Sequence, residues 1–299
     1  MTETFKKAMF EVFDKLQKNT IRVLYDKTEN SVPIGGSKIG GRPDLPADFV
    51  WPYYEGEDYQ QVVVNRPLSF LTQINLAETT SYDVDQCLPK TGILSFFYEM
   101  ETEKWGFDPK DRGCARVFYF PDENMLIQTE FPEELHEDFR FPEFSLSFEA
   151  RKDLPSGIDF TEMPEEEEIS RRFPDETEMC DIEEYDALRQ EYGCALDGDW
   201  SANTKLLGYP DVIQNSMERE CEEVTRGIYN GGVHEVSQEL EEEIEKNSKD
   251  WMLLYQMGVV EKDGFELMFG DVGHIYFWIK KQDLEKRNFD NVWLILQCC

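Results

Sequence analysis

The period of the apolar positions changes along the chain, and each period predicts a different element. Residues 4–18 repeat apolar side chains every three or four positions, which predicts an amphipathic helix that caps the core. The acid-rich stretches 182–192 and 235–247 predict two further amphipathic helices. Runs rich in β-branched and aromatic residues predict strands at 21–25, 61–64, 68–74, 92–99, 115–120, 141–148, 251–260, 265–269, 274–280 and 292–297.

The predicted strands come in runs and do not alternate regularly with helices. Asp263-Gly264 stands between two of them and predicts a hairpin turn. Eight glycines and prolines crowd into residues 32–52, which we expect to form an ordered loop packed by a few apolar groups. This arrangement favours an α+β, mainly β fold with antiparallel sheets and peripheral helices over a doubly wound parallel sheet.

Three segments of the chain occur twice in the same order. The pairs are SKIGGRPD at 37–44 with TKLLGYPD at 204–211, LSFLTQI at 68–74 with WMLLYQM at 251–257, and GILSFFY at 92–98 with GHIYFWI at 273–279. Ordered self-similarity of this kind indicates an internal duplication. We expect the two halves to pack about a pseudo-twofold axis, with any binding groove between them.

The duplication sets the expected domain organisation. We expect residues 1–299 to form one domain with a duplicated antiparallel core, built from a first half at 20–129 and a second half at 200–299. Between them lies an acidic insertion, residues 130–199, with 24 acidic against 6 basic residues. We expect this insertion to be largely helical, with a mobile stretch around 155–175.

The net charge of the chain restricts its possible partners more than any sequence motif does. The chain has 63 acidic and 30 basic residues, for a net charge of −33. Such a surface repels nucleic acid and anionic lipid, so we expect neither nucleic acid nor membrane as a partner. Two interpretations remain: a surface that only keeps the protein dissolved, or a surface that binds a basic protein partner.

Cysteine usage and the start of the chain favour a cytoplasmic protein. The seven cysteines are scattered, and we expect them to be free thiols in a reduced compartment. The first residues lack the basic stretch and apolar run of a signal peptide, and no apolar run approaches the ~18 residues of a membrane span.

The established templates of catalysis and metal binding are not matched. Gly41 is followed by Arg42 and Pro43, whereas a phosphate loop needs lysine and then serine or threonine. Three histidines and no Cys-x-x-Cys motif give no support for a triad or a zinc site. We therefore expect no cofactor, no metal and no identifiable catalytic residue.

The repeated residues are the best candidates for a site. Lys38 and Lys205 stand at equivalent places, as do Gln73 and Gln256. A glutamine inside an apolar strand must find partners, because an unpaired buried amide costs about 1–3 kcal/mol. One interpretation is that both glutamines hold the adjoining loops by hydrogen bonds to the backbone. The other is a groove for a small anionic ligand, with the candidate residues Lys38, Gly40, Gly41, Arg42, Gln73, Lys205, Gln256 and His274.

At these same residues the sequence resembles the YwqG-like family, a bacterial domain of unknown function. The similar segments are residues 37–46 with Trp51-Pro52, 67–76, 88–94 and 270–279. The resemblance implies a mainly β, roll-like fold with a duplicated core, and no established activity or catalytic residues. The second loop departs from the family's pattern in having Leu207 before Gly208, Phe269 replaces a common tryptophan, and Gly258 begins a stretch where an aspartate is usual.

Two functions therefore stay open from the sequence. The first is a non-catalytic binding module whose acidic surface docks on a basic partner. Some similar proteins look like companions of bacterial toxin systems, which would make them immunity-type binders. The second is a small-molecule binder or an unrecognised enzyme that uses a groove between the halves.

Overall fold

The fold is built around one large antiparallel sheet. The computed structural model describes residues 1–27, 31–194, 200–232 and 236–299. Ten strands lie in the sheet: β1 (Lys18–Asp26), β2 (Lys38–Ile39), β6 (Ser69–Asn75), β7 (Ile93–Tyr98), β8 (Ala115–Phe120), β10 (Phe144–Asp153), β11 (Lys205–Leu206), β12 (Trp251–Met257), β15 (His274–Lys280) and β16 (Trp293–Gln297). Three two-stranded antiparallel sheets complete the strands: β3 (Asp44–Pro46) with β9 (Leu126–Gln128), β4 (Tyr53–Glu57) with β5 (Val63–Pro67), and β13 (Val260–Lys262) with β14 (Phe265–Leu267).

The strand order of the sheet has the same pattern from both edges. It runs β16-β15-β12-β11-β1-β10-β2-β6-β7-β8, so β1 and β10 pair at the centre with one similar four-strand set on each side. The short strand β11 pairs with β1 as β2 pairs with β10. An irregularity lies between Phe70 and Thr72 in β6 and between Leu253 and Tyr255 in β12. An evolutionary duplication stays our interpretation of this arrangement.

The two flanks of the sheet face each other across the main core. The rings of Phe96 on β7 and Phe277 on β15 are 5.1 Å apart between centroids, and the Thr72 and Tyr255 hydroxyls are 3.1 Å apart. The sheet is nearly closed, because the segment after β7 reaches the edge strand β16 at the other end of the sheet. There the Leu296 amide donates to the Trp105 carbonyl at 2.9 Å. The main core therefore lies inside the curled sheet.

The helices lie at the periphery. They are α1 (Glu3–Leu16), α2 (Leu76–Thr79), α3 (Gly157–Thr161), α4 (Pro164–Arg172), α5 (Pro174–Met179), α6 (Ile182–Tyr192), α7 (Glu218–Thr225), α8 (Gln238–Ser248) and α9 (Lys281–Glu285). A second apolar core joins α1 to α3, α4 and α6 through side chains such as Phe13, Phe160, Ile169 and Tyr185. The predicted N-terminal helix therefore packs on other helices, in a core separate from that of the sheet.

The structure confirms the mainly β fold class and most predicted strands. The Asp263-Gly264 hairpin is confirmed: Lys262 pairs with Phe265, and both turn residues have positive φ, as a tight hairpin of primed type requires. The segment 130–199 is only partly helical, because it also contains β10 at the centre of the sheet. Helices α3 and α4 occupy much of the stretch around 155–175 that we expected to be mobile. Residues 195–199 and residue 235 lie outside the described residues.

The glycine- and proline-rich loop is ordered by side-chain packing, as expected. Ile39 and Leu45 are fully buried, and the rings of Phe49 and Trp51 pack against Phe97. Among the described residues, none of the helices combines the length and the apolar character that crossing a membrane requires.

Candidate functional site

The first lysine–glutamine pair lies in a fully buried cluster. Lys38 on β2 pairs with Gln73 on β6 in the sheet register. The Lys38 Nζ lies 3.3 Å from a carboxylate oxygen of Asp44 and 3.5 Å from one of Glu143. Gln73 Nε2 donates to Asp44 Oδ2 at 2.6 Å and to the Gly36 carbonyl at 2.8 Å, and Gln73 Oε1 accepts from the Asp44 amide at 2.9 Å. Gln73 thus connects the two ends of the loop at residues 36–44.

The second pair forms a cluster of the same construction. Lys205 on β11 pairs with Gln256 on β12, and its Nζ lies 3.0 Å from Asp211 and 3.1 Å from Asp153. Gln256 Nε2 donates to Asp211 Oδ2 at 2.6 Å and to the Asn203 carbonyl at 2.9 Å. Gln256 Oε1 accepts from the Asp211 amide at 2.9 Å. The interpretation that both glutamines fix the neighbouring loops through the backbone is confirmed.

The residue directly after each of the short strands β2 and β11 has a left-handed backbone conformation. Gly40 has φ +62° and donates its amide to the Leu71 carbonyl at 2.8 Å. In the other half Leu207 has φ +60° and donates to the Leu254 carbonyl at 3.3 Å. Both acceptors lie at the irregularities of β6 and β12. Leucine in this conformation is strained, whereas glycine is not, so the second copy keeps the same turn at a cost.

The charges in the second cluster stabilise each other. Burial alone would lower the pKa of Lys205, but Asp153 and Asp211 outweigh it and raise that pKa above its ordinary value. Burial opposes ionisation of Asp211 as well, yet the charge of Lys205 and the Gln256 hydrogen bond hold the Asp211 pKa below its ordinary value. A buried lysine with two carboxylates therefore stays charged, as a dry interior allows only when each charge is paired.

The two clusters do not share one groove. β1 and β10 separate β2 from β11 in the sheet, and the side chains of Lys38, Gln73 and Gln256 are fully buried. Gly40 and Gly41 lie in the loop beside the first cluster, where both have positive φ. Their role in binding a ligand stays a prediction.

Of the remaining candidate residues, Arg42 is exposed and His274 is buried. The Arg42 side chain is 45% exposed and pairs with Glu130. His274 is fully buried; its Nε2 lies 3.1 Å from the Ser201 carbonyl and its Nδ1 lies 3.2 Å from the Tyr276 hydroxyl. Burial lowers the His274 pKa, which favours the neutral imidazole. His274 thus joins β15 to the segment before β11.

Sequence reasoning missed the carboxylates that neutralise the lysines. Asp44 and Asp211 close both copies of the repeated octapeptide, so the repeat itself contained the signal. Glu143 and Asp153 flank or end β10 and belong to no repeated motif, so their role needed the structure.

Three concave surfaces of the described structure are open to solvent, and the first of them borders the Lys38 cluster. A cleft of about 400 Å³ runs along the loop at 31–37 and includes Asn75, Glu78 and Glu123. A pocket of about 140 Å³ opens among α1, α3, α4 and α6. A third cleft, of about 420 Å³, is lined by cations at its rim, including Arg112 and Lys280. These surfaces, unlike the clusters, are open to a partner.

In the described part of the chain, the thiols and the residue types that bind metals do not form a recognisable reactive group. Burial raises the pKa of the Cys114 and Cys221 thiols well above the ordinary value, which keeps them protonated. Within the described ranges, no three His, Cys, Asp or Glu side chains come together in a way that could hold a metal ion. The described cysteines form no disulfide.

The fold and the two buried clusters define a class of protein: a mainly β domain with a nearly closed antiparallel sheet, in which a lysine, an aspartate and a glutamine fix a loop on each side. The chain belongs to the DUF1963 family, described as a domain of unknown function, whose model matches residues 37–298. The match includes both clusters and the central strand β10. A search of the curated proteins gave no match.

Proposed function

We propose that the protein is a binding module and that its partner carries a basic surface. The observation behind the proposal is an apolar pocket that opens in an acid-rich part of the surface. We call this part the acidic helical layer; it consists of α3, α4, α5 and α6, residues 157–192. An apolar pocket with acidic neighbours fits a partner segment that presents an apolar side chain among lysines or arginines.

The pocket is apolar at its base and acidic at its rim. Its volume is about 140 Å³. The base is lined by apolar side chains of α1 and the acidic helical layer, namely Phe5, Met9, Phe160, Ile169 and Tyr185. Glu166 and Asp181 also line it, and Ile182 beside it is 50% exposed. Apolar anchors buried in small pockets contribute most of the energy of many protein interfaces.

Several acids around the pocket are available to a partner. Glu162, Asp175 and Glu183 are exposed, and none has a basic side chain within ion-pair distance among the described residues. Other acids of α4 pair with Arg171 and Arg172 at the end of the same helix. Exposed unpaired acids repel one another, so a basic partner would relieve this repulsion and would be steered toward the layer.

A charge-matched pair of variants tests this function. A partner captured from lysate at low salt is purified and titrated with three forms of the full chain. One variant neutralises Glu162, Asp175 and Glu183 by amide substitution. The control neutralises three exposed acids of α8, Glu239, Glu242 and Glu245, which changes the net charge equally.

The two variants separate specific docking from bulk charge. We expect the first variant to weaken binding about tenfold or more, mainly through slower association, and the control to change it little. Added salt should reduce the difference between the first variant and the wild type. Equal weakening by both variants, or no partner at low salt, would contradict the proposal.

Small-molecule binding at the glycine-rich loop is the second candidate. It is favoured by the cleft of about 400 Å³ that runs along residues 31–37, directly before Lys38. A thermal-shift screen of metabolites on the wild type and on Glu78→Gln tests it, because Glu78 lines this cleft. If no metabolite raises the melting temperature of the wild type, this candidate loses its support.

Three finer assignments rest on sequence features. We propose that the chain is a YwqG-like member of its family, on the segments 37–46 and 270–279. We also propose a cytoplasmic location from the free thiols. Binding is favoured over catalysis because catalysis needs a positioned base or nucleophile.

A further inference from the structure

The third cleft carries charge of the opposite sign to the rest of the protein. Its volume of about 420 Å³ falls within the range of ~300–1,000 Å³ typical of small-molecule sites. The loop before β8 contributes Arg112, the end of α7 contributes Arg226, and the end of β15 contributes Lys280. We call this surface, together with Gln282 and Asn291, the cationic cleft. It joins a first-half loop to elements of the second half.

A buried carboxylate organises two of the three cations. Glu222 on α7 accepts hydrogen bonds from Trp251 Nε1 at 2.9 Å, from Arg226 Nε at 2.7 Å and from Lys280 Nζ at 2.7 Å. Burial alone would raise the pKa of Glu222, but these hydrogen bonds outweigh it and lower that pKa. Glu222 is therefore ionised and saturated with donors, while the Lys280 and Arg226 side chains stay 23% and 26% exposed. Arg226 Nη2 also donates to Glu243 at 3.1 Å, so the Nη1 group of Arg226 and the other N–H groups of Lys280 are left for a ligand.

Arg112 is the cation without a counter-charge. It is exposed, its guanidinium lies 5.4 Å from the Trp293 ring centre, and it donates weakly to the Thr225 carbonyl at 3.4 Å. No acidic side chain in the described part of the chain lies within ion-pair distance of it. Stacking on Trp293 keeps the guanidinium at the cleft with its N–H groups available.

The second acid of the cleft is also occupied. Asp283 on α9 accepts from Asn288 Nδ2 at 3.1 Å and from Asn291 Nδ2 at 3.3 Å. The polar groups left for a ligand are thus donors of Arg112, Arg226, Lys280 and Gln282. Glu222 and Glu243 compensate Lys280 and Arg226, so the charge that attracts an anion is that of Arg112. Planar guanidinium groups suit oxyanions because they can donate two parallel hydrogen bonds.

We propose that the cationic cleft binds a small oxyanion, a molecule with phosphoryl or clustered carboxylate groups. Glu222 fixes Arg226 and Lys280, and Arg112 closes the site from the other half of the chain. The surrounding negative surface selects small anions over polyanions, since a long anionic polymer would meet the repulsion of the whole molecule. The site is distinct from the acidic helical layer and does not depend on the function proposed for that layer.

Titration of inorganic pyrophosphate and of citrate into the full chain at low salt tests the site. Isothermal calorimetry compares the wild type with Arg112→Gln, Arg112→Lys and the control Arg151→Gln, which removes an exposed arginine that is paired with Glu149 on β10. Thermal melting of each variant verifies the fold.

We expect Arg112→Gln to weaken binding about tenfold, Arg112→Lys to weaken it less, and Arg151→Gln to leave it within about twofold. Tighter pyrophosphate binding would assign a phosphoryl ligand, and tighter citrate binding a carboxylate ligand; both support the site. No binding of either anion up to about 1 mM would overturn the proposal. Equal affinities of wild type and Arg112→Gln, or equal losses in Arg112→Gln and Arg151→Gln, would also overturn it.

Discussion

Phe96 and Phe277 occupy the same place in the two copies of the repeated sequence, and their rings contact each other at the centre of the main core. The centroids are 5.1 Å apart and the ring planes meet at 74°. On the neighbouring strands the equivalent residues Thr72 and Tyr255 also meet, with 3.1 Å between their hydroxyl oxygens. Self-contact of equivalent positions is what a twofold relation between two packed halves requires.

This ring contact predicts energetic coupling between the halves. We expect Phe96→Leu and Phe277→Leu each to lower the free energy of unfolding by about 1–2 kcal/mol. The double variant should deviate from additivity by about 0.5–1.5 kcal/mol, since the aromatic pair is lost only once. Urea denaturation measures the cycle. As control, Phe96→Leu combined with Phe13→Leu in the separate helical core should be additive within about 0.5 kcal/mol. Full additivity in the first cycle would contradict the coupling.

The turn after β2 predicts that any side chain at Gly40 destabilises the fold. A Cβ at Gly40, where φ is +62°, would lie 2.1 Å from the Pro142 carbonyl oxygen. We expect Gly40→Val to lower the free energy of unfolding by about 4 kcal/mol or more, because strain and collision add. Gly193→Ala is the control: its φ is +96°, but no described atom lies within 4 Å, so strain alone should cost about 1–2 kcal/mol. Similar losses in urea melts of both variants would show that the collision is relieved.

The buried lysine clusters predict a large effect of neutralising one charge. Lys38→Met keeps the shape of the stem but leaves Asp44 with no counter-charge of its own in the core. We expect a loss of about 3–5 kcal/mol in the free energy of unfolding, and a similar loss for Lys205→Met. Arg42→Gln, which removes an exposed ion pair, should cost no more than about 1 kcal/mol. A loss below about 1 kcal/mol for Lys38→Met would mean that the cluster adapts to the missing charge.

The raised pKa of Asp159 predicts how the free energy of unfolding depends on pH. Burial, and then the charge of Glu218, raise the Asp159 pKa to about 7, and its Oδ2 is buried without a hydrogen-bond partner in the described structure. The unfolded chain loses this proton near pH 4, so Asp159 lowers the free energy of unfolding progressively as the pH rises from about 4 to about 7.

Asp159→Asn should remove that loss. We expect the variant to match the wild type near pH 4 and to exceed its free energy of unfolding by about 4 kcal/mol at pH 8, since each unit of the pKa shift corresponds to about 1.4 kcal/mol. Asp175→Asn, at an exposed position on α5, should leave the pH profile unchanged. Denaturation curves across this pH range give the comparison. A constant offset between Asp159→Asn and wild type at every pH would contradict the raised pKa.

Local patterns in the sequence were sufficient for most of the fold. Alternation and aromatic runs predicted the main strands, and Asp263-Gly264 predicted its hairpin, because these features act between near neighbours. The central position of β10 could not be read locally. Its strand sequence is half polar, and its place depends on pairing with β1, which lies more than a hundred residues earlier. Likewise, α1 has an ordinary amphipathic pattern that does not specify which core it covers.

The candidate sites were less predictable than the fold. Repetition identified Lys38, Lys205 and both glutamines, but their full burial follows from carboxylates supplied by distant residues. The cationic cleft left no sequence signal at all, since Arg112, Arg226 and Lys280 are scattered along the chain. Charge balance summed over the sequence hides a local surface of the opposite sign.

The pairing of β1 with β10 and β11 has a consequence for synthesis of the protein. β1 leaves the ribosome early, yet the strands that border it begin only at Phe144 and Lys205. The nascent chain must therefore keep an apolar strand with two open edges until its neighbours are translated. Chaperone capture or premature association of nascent chains would act on this strand first, and the acidic segment that follows β10 would emerge as the sheet begins to close.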